Sequence, residues 1–247
     1  MPKILDTVPQ VFADVNAHLA LFRPTTVALA SAGIVLAAYT VADFFAWTRF
    51  AYNIPHNPLY YAFVRVAKIV GHDTTTHAAR LRKSQDTRRF LADLPERRGP
   101  VPQLPAWPFP HRHIPQLTTP SFLARLEAHL VSASSKHNLL LAPSIREGGH
   151  ATSLYSQPNL PNGPNKGLFE NDRMHVHRDD ASVHVSLTPR DAAEVMQKGW
   201  ATVFPLAGFT KTLDEGHVLL FAPRDEEELG RVLEIMDAGI QFSLTKL

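Results

Sequence analysis

Thirteen histidines and no cysteine set the chemistry open to this 247-residue chain. Without a thiol there is no disulfide scaffold, thiolate zinc site, iron–sulfur cluster or cysteine nucleophile. The reactive side chains that remain are His, Asp, Glu, Ser, Thr and Tyr. The most suggestive spacing is His175-x-His177 followed by His184. Residues 174–178 and 182–187 alternate as strands, with Asp179, Asp180 and Ala181 as the turn of a hairpin. Side chains two apart on a strand share a face, so His175 and His177 point the same way, and His184 lies on the partner strand.

Three readings of this trio stay open. It can supply three ligands of a metal site with an Asp behind them. One imidazole can act as a general base, oriented by Asp179 or Asp180. Or the histidines are packing residues without chemistry. Random placement gives about 0.7 His-x-His pairs in a chain of this composition, so the spacing alone is weak evidence. A second copy, His111-x-His113, sits in a proline-rich stretch.

The elements that must position these residues follow from pattern. Residues 24–42 carry no charge, and as a helix they reach about 28 Å, the span of a bilayer core. Phe44, Phe45, Trp47 and Tyr52 follow, where an aromatic belt belongs. The apolar run is too long and begins too late for a signal peptide. Residues 1–115 hold 13 Lys and Arg against 7 Asp and Glu, whereas 116–247 hold 12 against 16. The basic residues are concentrated after the apolar run, which predicts a single-pass endomembrane protein whose C-terminal body faces the cytoplasm and touches anionic lipid. This charge pattern does not suit a nucleic-acid-binding domain.

Beyond the anchor, residues 57–70 and 75–94 read as helices. Eight prolines between Pro95 and Pro120 exclude helix and central strand, leaving an extended strap tacked down by Trp107 and Phe109. Thr119 and Pro120 open a helix over 121–131, and 139–141 is a short strand. Residues 144–172 read as a long polar loop of lid length. Thr188 and Pro189 cap a helix that ends at Gly199, 217–221 is a strand, and the acids after Pro223 open the last helix. Short connections and this order predict an α+β fold: an antiparallel sheet with helices packed on one face. The domains expected are 1–52 with the anchor, 53–120 with the basic helices and strap, and 121–247 with the sheet. No GxGxxG, Walker or GxSxG motif is present.

Residues 91–99 (LADLPERRG), the HVH at 175–177 with His184, 198–200 (KGW), 205–208 (PLAG) and 221–228 (FAPRDEEE) together resemble the fungal luciferase family, in order from about residue 80 to 244. The resemblance implies a membrane-associated, cofactor-independent oxygenase. Luminous members oxidise 3-hydroxyhispidin with molecular oxygen to a cyclic peroxide that loses carbon dioxide and leaves an excited product. It implies a small pyrone or phenolic substrate, O2 as co-substrate, and no metal. His175, His177 or His184 would be the base, with Trp200, Phe204, Asp179 and Asp180 around the substrate. Deprotonating an enol gives an anion that can reduce oxygen directly, given a base and a water-excluding pocket. One departure stands out: the family pattern carries a His before Pro-Leu-Ala-Gly, and this chain has Phe204, with Ala201 in place of a Gly. A non-luminous or weakly active homologue is therefore expected. The alternatives are a non-catalytic carrier of a hydrophobic metabolite and a metal-dependent hydrolase using the same trio.

Overall fold

The computed structural model describes residues 10, 13–15, 17–18, 23–51, 54–114, 120–155, 171–210 and 213–245. The chain divides into two units, Met1–Phe50 and Ala51–Leu247. The first contains helix α1, Pro24–Phe50, whose 27 residues are long and apolar enough to cross a membrane. Leu29, Ile34, Val35 and Leu36 on it are exposed.

The second unit is α+β, as its pattern predicts. Helices α2 (Pro58–Val70) and α3 (Thr74–Leu81) come first, capped by the Asn57 and Asp73 side chains. Next come the strap, α4 (Pro120–His137), and strands β1 (Leu140–Pro143), β2 (Thr152–Tyr155), β3 (Asp172–Val176) and β4 (Val183–Ser186). Then follow α5 (Pro189–Gln197), β5 (Ala201–Val203), β6 (His217–Leu220) and α6 (Glu226–Leu244). The strands form one antiparallel sheet in the order β1-β2-β3-β4-β6-β5.

Strand alternation gives the sheet two unlike faces. Leu154, Met174, Val176, Val183, Val185, Val218 and Leu220 point to one of them and form the core with Leu126 and Leu130 of α4 and Leu229, Ile235 and Met236 of α6. Gly239 lets α6 come close: a Cβ there would lie 2.3 Å from Val185 Cγ2. The pairing Ser153↔His175↔His184↔Leu219↔Thr202 places a mostly polar row on the opposite face. The strap covers that row: His184 lies under the His111 backbone, while Thr74, at the start of α3, bonds Thr202. The strap's Phe109 stacks on Phe63 of α2 at 5.7 Å.

Four expectations are corrected. The helix expected over 75–94 ends at Leu81. From there the chain runs without regular structure because carboxylates of α5 offer other partners: Asp191 accepts from the Phe90 and Leu91 N–H groups, and Glu194 from that of Leu94. The helix expected over 121–131 extends to His137, where Asn138, at φ 53°, ends it in the left-handed region. The polar loop 144–172 contains β2, hidden from a hydropathy reading by Ser153 on the polar face; residues 156–170 of that loop lie outside the described residues. Strand β5, only three residues long, went unread. The Thr119 cap also lies outside the described residues.

Candidate active site

The hairpin β3–β4 does what its alternation predicts: His175 pairs directly with His184, and both rings enter the polar face. His177 follows β3, fixed by paired backbone bonds across the turn, from its N–H to Ser182 O and from the Ala181 N–H to its own carbonyl. The centroids of the three rings lie 5.0, 5.1 and 5.3 Å apart, and all three are buried. Two more imidazoles join them. His217 of β6 stacks on His184 at 5.2 Å, and His111 of the strap lies 5.2 Å from it on another side. His113, the second histidine of the strap, serves structure instead: its Nε2 accepts from the Ala222 N–H, and its Nδ1 meets Ile114 O.

Buried carboxylates orient the rings. Asp172 Oδ1 accepts from His175 Nδ1 at 3.0 Å, and Ser144 and Ser153 donate to the same carboxylate at 2.7 and 2.5 Å. Ser182 Oγ donates to Asp180 Oδ1 at 2.7 Å, so its lone pair receives the Nδ1 proton of His177 at 2.8 Å. Asp180 therefore acts on His177 through Ser182. Among the described residues the Nε2 atoms of His175 and His177 have no hydrogen-bond partner; they lie 3.7 and 3.5 Å from Glu147 Oε1. Glu147 comes from the loop between β1 and β2, and Arg112 of the strap stands 3.5 Å from its other oxygen.

These contacts sort the charges. Burial opposes a charge on His175, but Asp172 and Glu147 raise its pKa to about 9. Burial opposes the Asp172 and Glu147 carboxylates too, and the neighbouring imidazoles nevertheless hold both well below the usual range. Burial, with neighbouring imidazoles behind it, keeps His184 and His217 neutral, and lowers His111 to about 3. Arg146 adds to the effect on His217. The Arg146 guanidinium has only donors, so His217 Nε2, 3.4 Å from it, is the unprotonated nitrogen, and Nδ1–H bonds Ser186 Oγ at 3.0 Å.

A cavity of about 200 Å³ opens on this face. His111, His175, His184, His217, Arg146 and Glu147 form its polar wall; Tyr60, Phe63, Phe109, Phe204, Leu206 and Leu213 face them. Its size lies under the roughly 300–1,000 Å³ usual for drug-sized ligands, which suits a small planar molecule.

Of the residues put forward from sequence, His175, His184 and Phe204 line the cavity, and His177 stands behind it in the cluster. The Phe204 ring lies 5.2 to 5.5 Å from those of His111, His184 and His217. Asp180 acts at one remove. Asp179 points outward and pairs with Arg112 at 2.9 Å. Trp200 does not reach the cavity: its indole N–H bonds Pro95 O at 2.8 Å, and its ring joins the core cluster. Sequence reasoning missed Glu147, Asp172, Arg146 and His217. For Asp172, the three-residue spacing to His175 was an available signal; Glu147 and Arg146 sat in what read as loop.

Residues 172–239, from β3 into α6, match the Luciferase domain model. The chain is 31% identical over 170 residues to a luciferase of Armillaria gallica, covering 64% of each chain. It is 29% identical over 171 residues to a luciferase of Neonothopanus nambi, 64% of this chain and 63% of that one. With a luciferase of Armillaria mellea the identity is 28% over 251 aligned positions, 96% of this chain and 93% of the other. The matched part is thus under two thirds of the A. gallica and N. nambi proteins. No solved structure matches. The matched domain carries His175, His177, His184 and His217 together with the strands β3, β4 and β6 that aim them, and over these residues the chain is similar to fungal luciferases.

Proposed function

We propose that this protein is a luciferase-type oxygenase that brings O2 to a small enolisable aromatic or pyrone, such as 3-hydroxyhispidin, in the cavity on the polar face of the sheet. The observation that carries this reading is the pairing of two walls, one of imidazoles with Arg146 and Glu147, the other of Phe63, Phe109, Phe204, Leu206 and Leu213. A flat ring stacks on the aromatic wall while its acidic hydroxyl meets the polar one.

Proton transfer follows from the charge assignment. His175 is a cation and so stabilises an enolate instead of making it. His184 has carbonyl oxygens at both ring nitrogens, Val218 O at 3.3 Å and His111 O at 3.0 Å. His217 is neutral, lines the cavity and has its lone pair on Nε2; we assign it the role of base, with the Arg146 cation beside the developing oxyanion. Electron transfer from that enolate to O2 needs water kept away, which the strap and the phenylalanines supply.

The reaction takes place at a membrane surface. Besides α1, helix α2 exposes Leu59, Val66, Ile69 and Val70, and its Phe63 lines the cavity. The basic residues from Arg49 onward support a cytoplasmic side for the second unit. The test is oxygen uptake, carbon dioxide release and photon emission by the full chain in detergent with 3-hydroxyhispidin. Loss of oxygen uptake by at least a hundredfold in His217→Gln is expected. Wild-type rates in that variant would remove the base, and ligand binding without oxygen uptake would favour a carrier.

A further inference from the structure

The ring orientations at Glu147 do not close as a hydrogen-bond network. Asp172 takes the Nδ1 proton of His175, and the Ser182–Asp180 pair takes that of His177. Both Nε2 atoms then aim at one oxygen, Glu147 Oε1, from 3.7 and 3.5 Å. If unprotonated, each presents a lone pair to a carboxylate. If protonated, each stands beyond hydrogen-bond length from its acceptor. Both atoms are buried and, among the described residues, without a hydrogen-bond partner.

An ion among these atoms, taking the place of the Nε2 proton on the His175 cation, removes the conflict. Nitrogen and oxygen ligands about 2.1 Å from a tetrahedral transition-metal ion lie about 3.4 Å apart, close to the separations found. The surroundings have the form of an outer ligand shell: a metal-bound His gives its second N–H to a carboxylate, hydroxyl or carbonyl, as His175 does to Asp172 and His177 to Ser182. His184 stands beside them with a backbone carbonyl at each ring nitrogen, 3.3 and 3.0 Å away, so it joins as a ligand only by turning one nitrogen from its carbonyl. The ligand atoms of His175, His177 and His184 lie within 4.8 Å of one another.

We propose that Glu147, His175 and His177, with His184 as a further imidazole, bind one divalent first-row transition-metal ion. Two imidazoles and a carboxylate on one side of an ion, with positions left open, suit the iron-to-zinc range and disfavour calcium or magnesium, which prefer oxygen ligands. His175, His184 and Glu147 also line the cavity, so the ion would act as a Lewis acid toward an oxygen of whatever binds there. The site departs from the metal-free chemistry that the family resemblance implies, and it stands whether or not the chain is an oxygenase.

The experiment uses the full chain in detergent, its affinity tag removed, dialysed against Fe2+, Co2+ or Zn2+ and washed. Elemental analysis should find about one equivalent retained, and the Co2+ form should show the visible ligand-field bands of a nitrogen-rich site with few ligands. Glu147→Gln, nearly isosteric, and the double variant His175→Gln/His177→Gln should each weaken binding at least tenfold; Asp172→Asn should weaken it about 10- to 100-fold. Circular dichroism verifies that each variant is folded. Retention no greater than in the double variant, or Co2+ bands unchanged by Glu147→Gln, overturns the site. Oxygen uptake by protein that retains no ion removes the metal and leaves the oxygenase. One tightly held equivalent without oxygen uptake does the reverse.

Discussion

The imidazole of His175 donates from Nδ1 to Oδ1 of Asp172, three residues earlier, across 3.0 Å of fully buried space. The two residues sit on one strand, and a register shift at Leu154/Tyr155 of β2 lies opposite Asp172. Ser144 and Ser153 complete the carboxylate's shell, so one acid ties the start of the β1–β2 loop, β2 and β3 to the ring that faces the cavity.

Asp172→Asn is therefore expected to cost both stability and function. An amide keeps the size but turns a donor group toward neighbours that are themselves donors. Hydrogen bonds to a charged group contribute about 1.5–3 kcal/mol each, and the loss should fall in that range. The denaturant midpoint reads the stability change, and oxygen uptake by the folded fraction should drop at least tenfold. A variant that keeps wild-type stability would show that the carboxylate charge is not what the two serines and His175 bind.

Phe204 stands where the resemblance to fungal luciferases implies a His, and its ring touches three imidazoles. Phe204→His puts a polar ring at the cavity wall and is expected to raise light output and oxygen uptake with 3-hydroxyhispidin, mainly through kcat. Phe204→Ala should instead raise KM, because it removes a stacking surface without adding a donor. Steady-state kinetics on the two variants separate polarity from packing; an unchanged or lower kcat in Phe204→His would show that the phenylalanine suits this chain's own substrate.

The α6–sheet contact offers a test of the fold that leaves the site alone. At Gly239 a methyl group would fall 2.3 Å from Val185 Cγ2 and 3.1 Å from Met174 Cε. Gly239→Ala gains helix propensity but must push the helix off the sheet, and overpacking costs about 1–3 kcal/mol. A Tm lowered by several degrees, with the oxygen-uptake pH profile unchanged, is the expected outcome. An equal or higher Tm would mean that the helix moves away freely.

How much of this was legible in the sequence depended on which face a residue served. The β3–β4 hairpin could be read because Met174, Val176, Val183 and Val185 alternate with histidines, so one pattern gave both strands and cluster. Strand β2 defeated the same method: with Ser153 turned to the polar face and only Leu154 in the core, it has the composition of a loop. Glu147 was lost with it, since a carboxylate in a polar turn has no pattern until the strands place it beside His175 and His177. Trp200 failed for the opposite reason. An aromatic residue in a family motif suggested a pocket wall, yet its strand neighbours Ala201 and Val203 face the core, and its indole ties the chain to Pro95.

Arg97 and Glu228 form a buried ion pair at 3.1 Å that joins the start of the strap to α6. Although burial raises the Glu228 carboxyl, bonds from Arg224 and the charge of Arg97 hold it below the usual carboxylate range. Its folded pKa is thus lower than its unfolded one, so the pair's contribution is complete above the unfolded value near 4.3 and is lost as pH falls through the folded value. Arg97→Met leaves Glu228 with the half-exposed Arg224 as its cationic partner. Breaking a buried pair from one side costs about 3–5 kcal/mol, and the retained Arg224 bond should keep the loss toward the lower end. Stability measured from pH 7 to 3 should fall more gently with acid in this variant than in wild type, because much of what acid removes is already gone. Parallel curves would show that the Arg97–Glu228 pair does not carry the acid sensitivity.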